Sequence, residues 1–260
     1  MKLAHYWTRQ AGEATANDGR RIRVVSRGWS DLSVEQAAVV ARDIAQQVAR
    51  RIATGEIKNQ QYLYGDRPLP EPIVRQFQNG GSPRAIITRN MYGALVMNTQ
   101  DLMFVDVDRD DKRVESDVQR VTEANGLAAR LYKTAAGYRV LITNAAFQPG
   151  SPQSENLLRQ FGSDPLYERL CHMQQSFRAR LTPKPWRCGL AVPPVSFPYE
   201  TPQEQARFRE WEARYNATSA AYATCRYLTT FGGVRIAPAF EDLVYDHDQD
   251  TKASTQFPLA

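Results

Sequence analysis

The stretch that most constrains this chain is Asp101–Asp108, Asp-Leu-Met-Phe-Val-Asp-Val-Asp. Four apolar residues, Leu102 to Val105, run directly into two carboxylates one residue apart, Asp106 and Asp108. A short apolar run with polar ends has the pattern of a buried strand. Residues i and i+2 of a strand share a face, so both carboxylates project together from its end. Like charges held side by side repel, and a divalent cation between them removes the repulsion. A metal site on a sheet therefore competes with a plain alternative, a strand ending in a solvated acidic turn with Asp110 and Asp111.

The surroundings of this stretch suggest a sheet with helices. Arg84–Asn90, Gly93–Asn98 and Leu102–Val107 form three short strand candidates at meander spacing. A helix with Val114, Val118 and Val121 on one face follows over Arg113–Asn125, closed by Gly126. Two more strands, Ala129–Thr134 and Tyr138–Asn144, are joined through Ala135-Ala136-Gly137. The expected fold class is α+β, with a central, mainly antiparallel sheet, helices on one face, and N- and C-terminal helical extensions. Three regions are expected within one compact unit: 1–83, an N-terminal helical extension; 84–190, the core that carries the chemistry; and 191–260, a C-terminal helical region.

Within residues 1–83, Ile22–Val25 is a short β-like piece. Ser33 and Gln36 make a capping box for a helix running to Ala53, stopped by Gly55. Residues 62–83 are rich in Pro and Gly and bracket a short helix around Pro72–Phe77. Downstream of the core strands, a short helix is expected around Ser154–Phe161. Asp164-Pro165 caps a further helix over Leu166–Leu181. A long helix spans Gln203–Tyr227, a last strand covers Val234–Ile236, and Glu241–Asp250 forms an acidic tail.

Two basic segments flank the carboxylates in this reading. The turn Lys133-Thr134-Ala135-Ala136-Gly137-Tyr138-Arg139 joins two strands through small residues and carries a cation on each side, the makings of a phosphate cradle. The alternative is an ordinary hairpin with two exposed cations. Further on, Arg178, Arg180, Lys184 and Arg187 surround Trp186 in a segment stiffened by Pro183 and Pro185. Rigid loops that combine cations with an indole suit an anionic ligand or a nucleic-acid base. A surface loop with Trp186 tucked inward is the plain alternative.

Composition narrows the partners. The 260 residues carry 33 Lys+Arg against 28 Asp+Glu, a formal charge of +5, which leans towards polyanions. No apolar run approaches the roughly 20 residues that cross a bilayer, so no membrane partner is expected. The start, Met1 to Trp7, lacks a signal-peptide core, and three cysteines at unpaired spacing (Cys171, Cys188, Cys225) suit a reducing cytoplasm. Cys171-His172 has no partner at zinc-ligand spacing, so no zinc is expected. Neither a P-loop nor G-x-G-x-x-G occurs.

Phe104-Val105-Asp106-Val107-Asp108, the helix after it, and Thr134-Ala135-Ala136-Gly137-Tyr138-Arg139-Val140 on a strand pair resemble the catalytic core of archaeo-eukaryotic primases and primase-polymerases. The likeness covers about residues 84–190. It implies an RRM-like sheet on which Asp106 and Asp108 bind Mg²⁺ or Mn²⁺. The strand at Thr134–Val140 would then hold nucleotide phosphate, and a third acid would complete the metal site. Arg139 stands where the family has a histidine; it can bind phosphate but cannot shuttle protons. Asp164, Glu241, Asp242, Asp246 and Asp248 are candidates for the third acid.

The leading expectation is a metal-dependent nucleotidyltransferase acting on nucleoside triphosphates and a nucleic-acid strand. Asp106 and Asp108 would be its catalytic metal ligands, and Lys133, Thr134, Gly137, Arg139, Arg180, Lys184 and Arg187 its phosphate contacts. Trp186 and Arg178 would bind nucleic acid. Two other readings stand beside it: a non-catalytic nucleic-acid-binding protein on the same kind of sheet, and an intracellular scaffold whose basic loop binds a protein.

Overall fold

A computed structural model describes residues 1–56, 67–79 and 82–260. Its first unit is a hairpin with a helix laid across it. Strands β1 (Tyr6–Thr15) and β2 (Arg21–Ser30) pair antiparallel in unbroken register from Tyr6↔Ser30 to Thr15↔Arg21. Helix α1 (Val34–Ala53) starts at Ser33, whose side chain accepts from the Gln36 amide. Ala37, Ala41, Ala45 and Ala49 recur every fourth residue, so they form one fully buried stripe. The hairpin meets that stripe with glycines. A Cβ on Gly28 would lie 2.2 Å from the Ala37 carbonyl oxygen, and one on Gly12 would lie 2.3 Å from the Gln46 amide nitrogen. Only hydrogen fits at either place. The N-terminal region is thus as much strand as helix, and the short piece foreseen at Ile22–Val25 is the middle of a ten-residue strand.

The α+β class and the antiparallel pairing hold, but the strands divide between two four-stranded sheets. One has the order β3 (Ile73–Asn79), β4 (Ser82–Arg89), β5 (Leu95–Thr99) and β9 (Phe177–Arg180). The other has the order β10 (Cys225–Phe231), β7 (Ala129–Thr134), β8 (Tyr138–Ile142) and β6 (Phe104–Val107). The expected three-strand meander therefore breaks after β5. Strand β6 turns away to pair with β8, and β9 takes the place beside β5.

Several expected helices change accordingly. Residues around Pro72–Phe77 form β3, because the β-branched pair Ile73-Val74 and Phe77 find an antiparallel partner in β4. The punctuation at Tyr62–Asp66 and at Gly80-Gly81 lies outside the described residues. Helix α4 (Pro165–Gln174), capped by Asp164, stops well short of Leu181. Gln175 adopts a left-handed conformation with φ of 49°, and the chain re-enters as β9. Helix α5 (Pro202–Ser219) likewise ends before Tyr227, and Cys225 begins β10. Val234–Ile236 is not a strand, and the acidic tail is helix α6 (Glu241–Thr251). Its Leu243, Val244, His247 and Thr251 are buried. Helices α2 (Arg113–Ala124) and α3 (Pro152–Gln160) lie where the sequence pattern puts them.

One continuous core joins both sheets with α2, α3, α4 and α6. A smaller aromatic cluster, Phe208, Trp211 and Tyr215, lies under α5. Among the described residues no helix is long and apolar enough to cross a membrane.

Candidate metal and phosphate site

Asp106 sits directly across the β6–β8 ladder from Arg139, with Val105↔Val140 and Val107↔Tyr138 as the flanking pairs. Directly opposed side chains in an antiparallel pair stand about 5 Å apart at Cβ, within reach of one another. Asp106 is partly buried, while Asp108, one residue past the strand, is exposed. Burial pushes the Asp106 carboxyl upward in pKa. Arg139 and then Arg180 pull against the rise, and the charges of Asp108 and Asp164 add to it. Three carboxylates and two guanidiniums thus act on one strand end.

Asp164 is the one candidate third acid that acts on this point. Its amide donates to the Asp106 carbonyl at 2.9 Å, and its carboxylate caps α4 by accepting from the Tyr167 amide at 3.1 Å. The Tyr167 hydroxyl donates to the Phe104 carbonyl at 2.9 Å. The start of α4 is therefore tied to β6 at two alternate residues. The other candidates, Glu241, Asp242, Asp246 and Asp248, all lie on α6.

Arg139 is almost wholly buried. Its Nη1 donates to the Arg180 carbonyl at 2.9 Å and lies 3.1 Å from His247 Nε2. A guanidinium can only donate, so Nε2 must accept and the ring proton sits on Nδ1. That nitrogen lies 3.0 Å from Asp248 Oδ1. The Asp248 carboxylate also accepts from the Tyr132 hydroxyl at 2.8 Å and from Arg130 at 2.5 Å. Burial lowers the His247 pKa, and the hydrogen bonds with Asp248 and Cys225 more than offset it. A fixed chain thus runs from Asp248 through His247 to Arg139, which faces Asp106.

Arg180, at the end of β9, brings a second guanidinium to the same place. Burial, followed by the charge of Arg139, lowers its pKa to about 10. Its Nη1 is buried and has no hydrogen-bond partner. A buried guanidinium N–H without an acceptor is costly, and an anion placed there would remove the cost. Lys184 belongs to the same group. Burial and the charges of Arg180 and Arg187 lower its pKa, while Asp108 and Asp106 act in the opposite sense. Arg180, Lys184 and Arg187 make no ion pair with a carboxylate among the described residues.

The remaining expected residues are placed differently. Arg178 is no ligand contact: it is buried and makes two hydrogen bonds to Glu71, at 2.8 and 2.9 Å, and another to Asn98. Glu71 is also buried and accepts from Thr88 as well, so this ion pair locks β9 to the chain before β3. The turn after β7 is closed instead of open as a cradle. The Gly137 amide donates to Thr134 Oγ1 at 3.1 Å, and a Cβ on Gly137 would lie 2.0 Å from the Val107 carbonyl oxygen. Thr134 and Gly137 therefore seat the turn against the end of β6. Lys133 reaches Asp110 Oδ1 at 2.8 Å and the Gly137 carbonyl at 3.1 Å, with its ammonium 4.4 Å from the Tyr138 ring centre. It closes the rim and is not free for phosphate. Trp186 is exposed, in a 3₁₀ turn over Pro185–Cys188, and is not tucked inward.

Sequence reasoning missed His247 and Glu71, and it named Asp248 only as a possible metal ligand, whereas Asp248 holds His247, Tyr132 and Arg130. For His247 a signal was present, since 243, 244, 247 and 251 have the spacing of one buried helix face. The cysteines are all free and buried, and burial raises the Cys171 thiol to about 12. Among the described residues no group of three or more His, Cys, Asp or Glu is arranged to enclose a metal ion. In comparisons with known families, curated proteins and solved structures the chain matches none.

Proposed function

We propose that the chain is a metal-dependent nucleotidyltransferase of primase-polymerase type, acting at the Asp106–Arg139 site on a nucleoside triphosphate and a nucleic-acid strand. The observation that carries this reading is the meeting of opposite needs at one strand end. Asp106 and Asp108 offer oxygen ligands, and Arg180 Nη1, with Arg139 behind it, offers a buried N–H that lacks an acceptor.

The donor set suits Mg²⁺ or Mn²⁺ arriving with phosphate. Such ions keep several waters and bind through one or two carboxylates plus substrate phosphate oxygens, with no need of an enclosing protein cage. Asp106 and Asp108 would hold the ion, with Asp164 near enough to add charge. Bound there, a divalent ion supplies charge neutralisation at the transferring phosphoryl group. The protein's own contribution is positioning and electrostatics. Arg180 and Lys184 hold the phosphates, and the charge of Arg139 works against the rise that burial gives the Asp106 pKa. Arg139 cannot carry a proton, so no general base comes from that position.

Thermal melting with Mn²⁺ and a nucleoside triphosphate tests the reading. Binding to the folded state alone adds about 2.7 kcal/mol when ligand is in hundredfold excess over Kd. The expected result is a rise in Tm that needs both components and disappears in Asp106→Asn/Asp108→Asn. An absent rise, or one retained in that variant, overturns it. A second reading, nucleic-acid binding without catalysis, is favoured by one observation: Arg139, in place of a histidine, is buried and committed to internal hydrogen bonds. Binding of nucleic acid with no metal-dependent nucleotide incorporation would select it.

A further inference from the structure

The surface carries two large rings in water. Tyr92 is 42% exposed and Trp186 48% exposed, and they meet edge to face with centroids 5.2 Å apart at an interplanar angle of 86°. Exposed single apolar residues are ordinary, but two large rings in mutual contact on separate segments are not explained by core packing.

Both mounts are rigid. Tyr92 sits in the turn between β4 and β5, where Asn90 Oδ1 accepts from the Tyr92 amide at 3.0 Å and the Ala94 amide at 3.1 Å. Gly93, at φ of +89°, backs onto Trp211, with no room for a Cβ. Trp186 follows Pro183 and Pro185, and the Tyr215 hydroxyl holds this segment through the Pro183 carbonyl at 2.6 Å. The segment is pinned to β5 by Leu95 N–H donating to Thr182 Oγ1 at 2.8 Å. Rings fixed in this way lose little entropy when something stacks on them.

The charge next to the rings is positive. The Lys184 ammonium lies 5.6 Å from the Trp186 ring centre, and it is near enough to Asp106 and Asp108 to feel their charge. Arg187 follows on the same 3₁₀ turn. The edge-to-face contact covers a face of only one of the two rings, both stay about half exposed, and Lys184 stands over Trp186 without a carboxylate partner among the described residues.

We infer that Tyr92 and Trp186 form a stacking platform for single-stranded nucleic acid. Bases stack on the rings, and Lys184 and Arg187 take the neighbouring phosphates. The bases of a duplex are already stacked on each other, so their faces are not available; those of a single strand are. Stacking needs only a π-face, so the platform is sequence-tolerant. This deepens the reading of the Asp106 site by supplying a path for its strand, and it rests on that reading only for the strand's destination.

The test is fluorescence anisotropy of a labelled oligothymidylate and a labelled oligouridylate titrated with the full chain, at low salt and without metal or nucleotide. Salt-sensitive binding is expected, weaker for a duplex of the same length. Trp186→Ala and Tyr92→Ala should each weaken it on the order of tenfold, and the double variant more. Because both rings are exposed, the variants should keep the wild-type melting temperature. No binding, binding indifferent to both substitutions, or a preference for duplex overturns the platform. So does self-association of the wild type that the substitutions abolish, since the rings would then belong to a second copy. The Mn²⁺–nucleotide melting shift, measured on the same variants, separates the two proposals. A retained shift with no oligonucleotide binding defeats the platform alone. Oligonucleotide binding that depends on the rings, without any nucleotide shift, upholds the platform and defeats nucleotidyl transfer.

Discussion

Arg139 Nη1 lies 3.1 Å from His247 Nε2, joining the second β-sheet to the last helix of the chain. The contact fixes the tautomer of a fully buried imidazole and, with the Arg180 carbonyl, fixes the orientation of the guanidinium that faces Asp106. An arginine held at two points behaves as preorganised charge and not as a mobile surface cation.

Substitutions at His247 should separate acceptor from bulk. His247→Leu fills the space but leaves an Arg139 N–H without a partner, at a cost of about 1–3 kcal/mol. His247→Gln can present an amide oxygen to the same N–H and should lose less. Urea denaturation of both variants checks the order. Equal losses would mean that the contact contributes nothing beyond packing.

Asp248 gives the fold a pH dependence of known sign. Burial works to raise its pKa, but the hydrogen bond from His247, followed by Tyr132 and Arg130, holds it below the ordinary carboxylate value. A carboxyl more acidic when folded stabilises the protein above its unfolded pKa of about 3.9 and loses that contribution as pH falls through the folded value. Asp248→Asn should therefore be less stable than wild type by about 1–3 kcal/mol at neutral pH, since its charge-assisted hydrogen bonds weaken. The gap should narrow at about pH 3. Denaturant melts at both pH values measure it, and a constant gap would contradict the linkage.

Arg178, in β9 ahead of the Trp186 turn, and Arg187, within that turn, have opposite roles. Arg178→Met strands the buried Glu71 carboxylate, which should cost about 3–5 kcal/mol of stability. Arg187→Ala should leave stability within about 0.5 kcal/mol and weaken oligonucleotide binding instead. Denaturation and anisotropy on both variants check the crossing pattern.

Gly137→Ala is expected to destabilise by about 1–3 kcal/mol, because the new methyl would press on the Val107 carbonyl and the strand end must move. The same shift displaces Asp108, so the Mn²⁺-dependent rise in Tm should shrink as well. A variant that keeps both properties would show that the turn can relax without disturbing the carboxylates.

The parts of the site that were legible in the sequence are those made by neighbouring strands. An apolar run ending in Asp106 and Asp108, then a strand carrying Arg139, needs only a hairpin and one pairing to bring acid and base together. What could not be read depends on distant pairing. Nothing local shows that Asn98 pairs with Arg178, so Phe177–Arg180 passes for the end of a helix until β5 claims it. That claim sends Arg178 inward to Glu71 and leaves Arg180, two residues on, at the carboxylates. Helix α6 was hidden for another reason. Its five acidic residues over Glu241–Asp250 give it the look of a solvated tail, while its buried face consists of only four side chains.

The chain from Asp248 through His247 to Arg139 also orders events in time. Asp106 and Arg139 are close in sequence and can pair early, whereas the group that orients Arg139 is 108 positions further along. Contacts of such separation are costly to close and form late. During synthesis the chain would expose a complete acidic strand end and its facing arginine well before α6 arrives to hold that arginine still. The orientation of Arg139 is therefore expected to be fixed only once α6 has docked, as one of the later steps of folding.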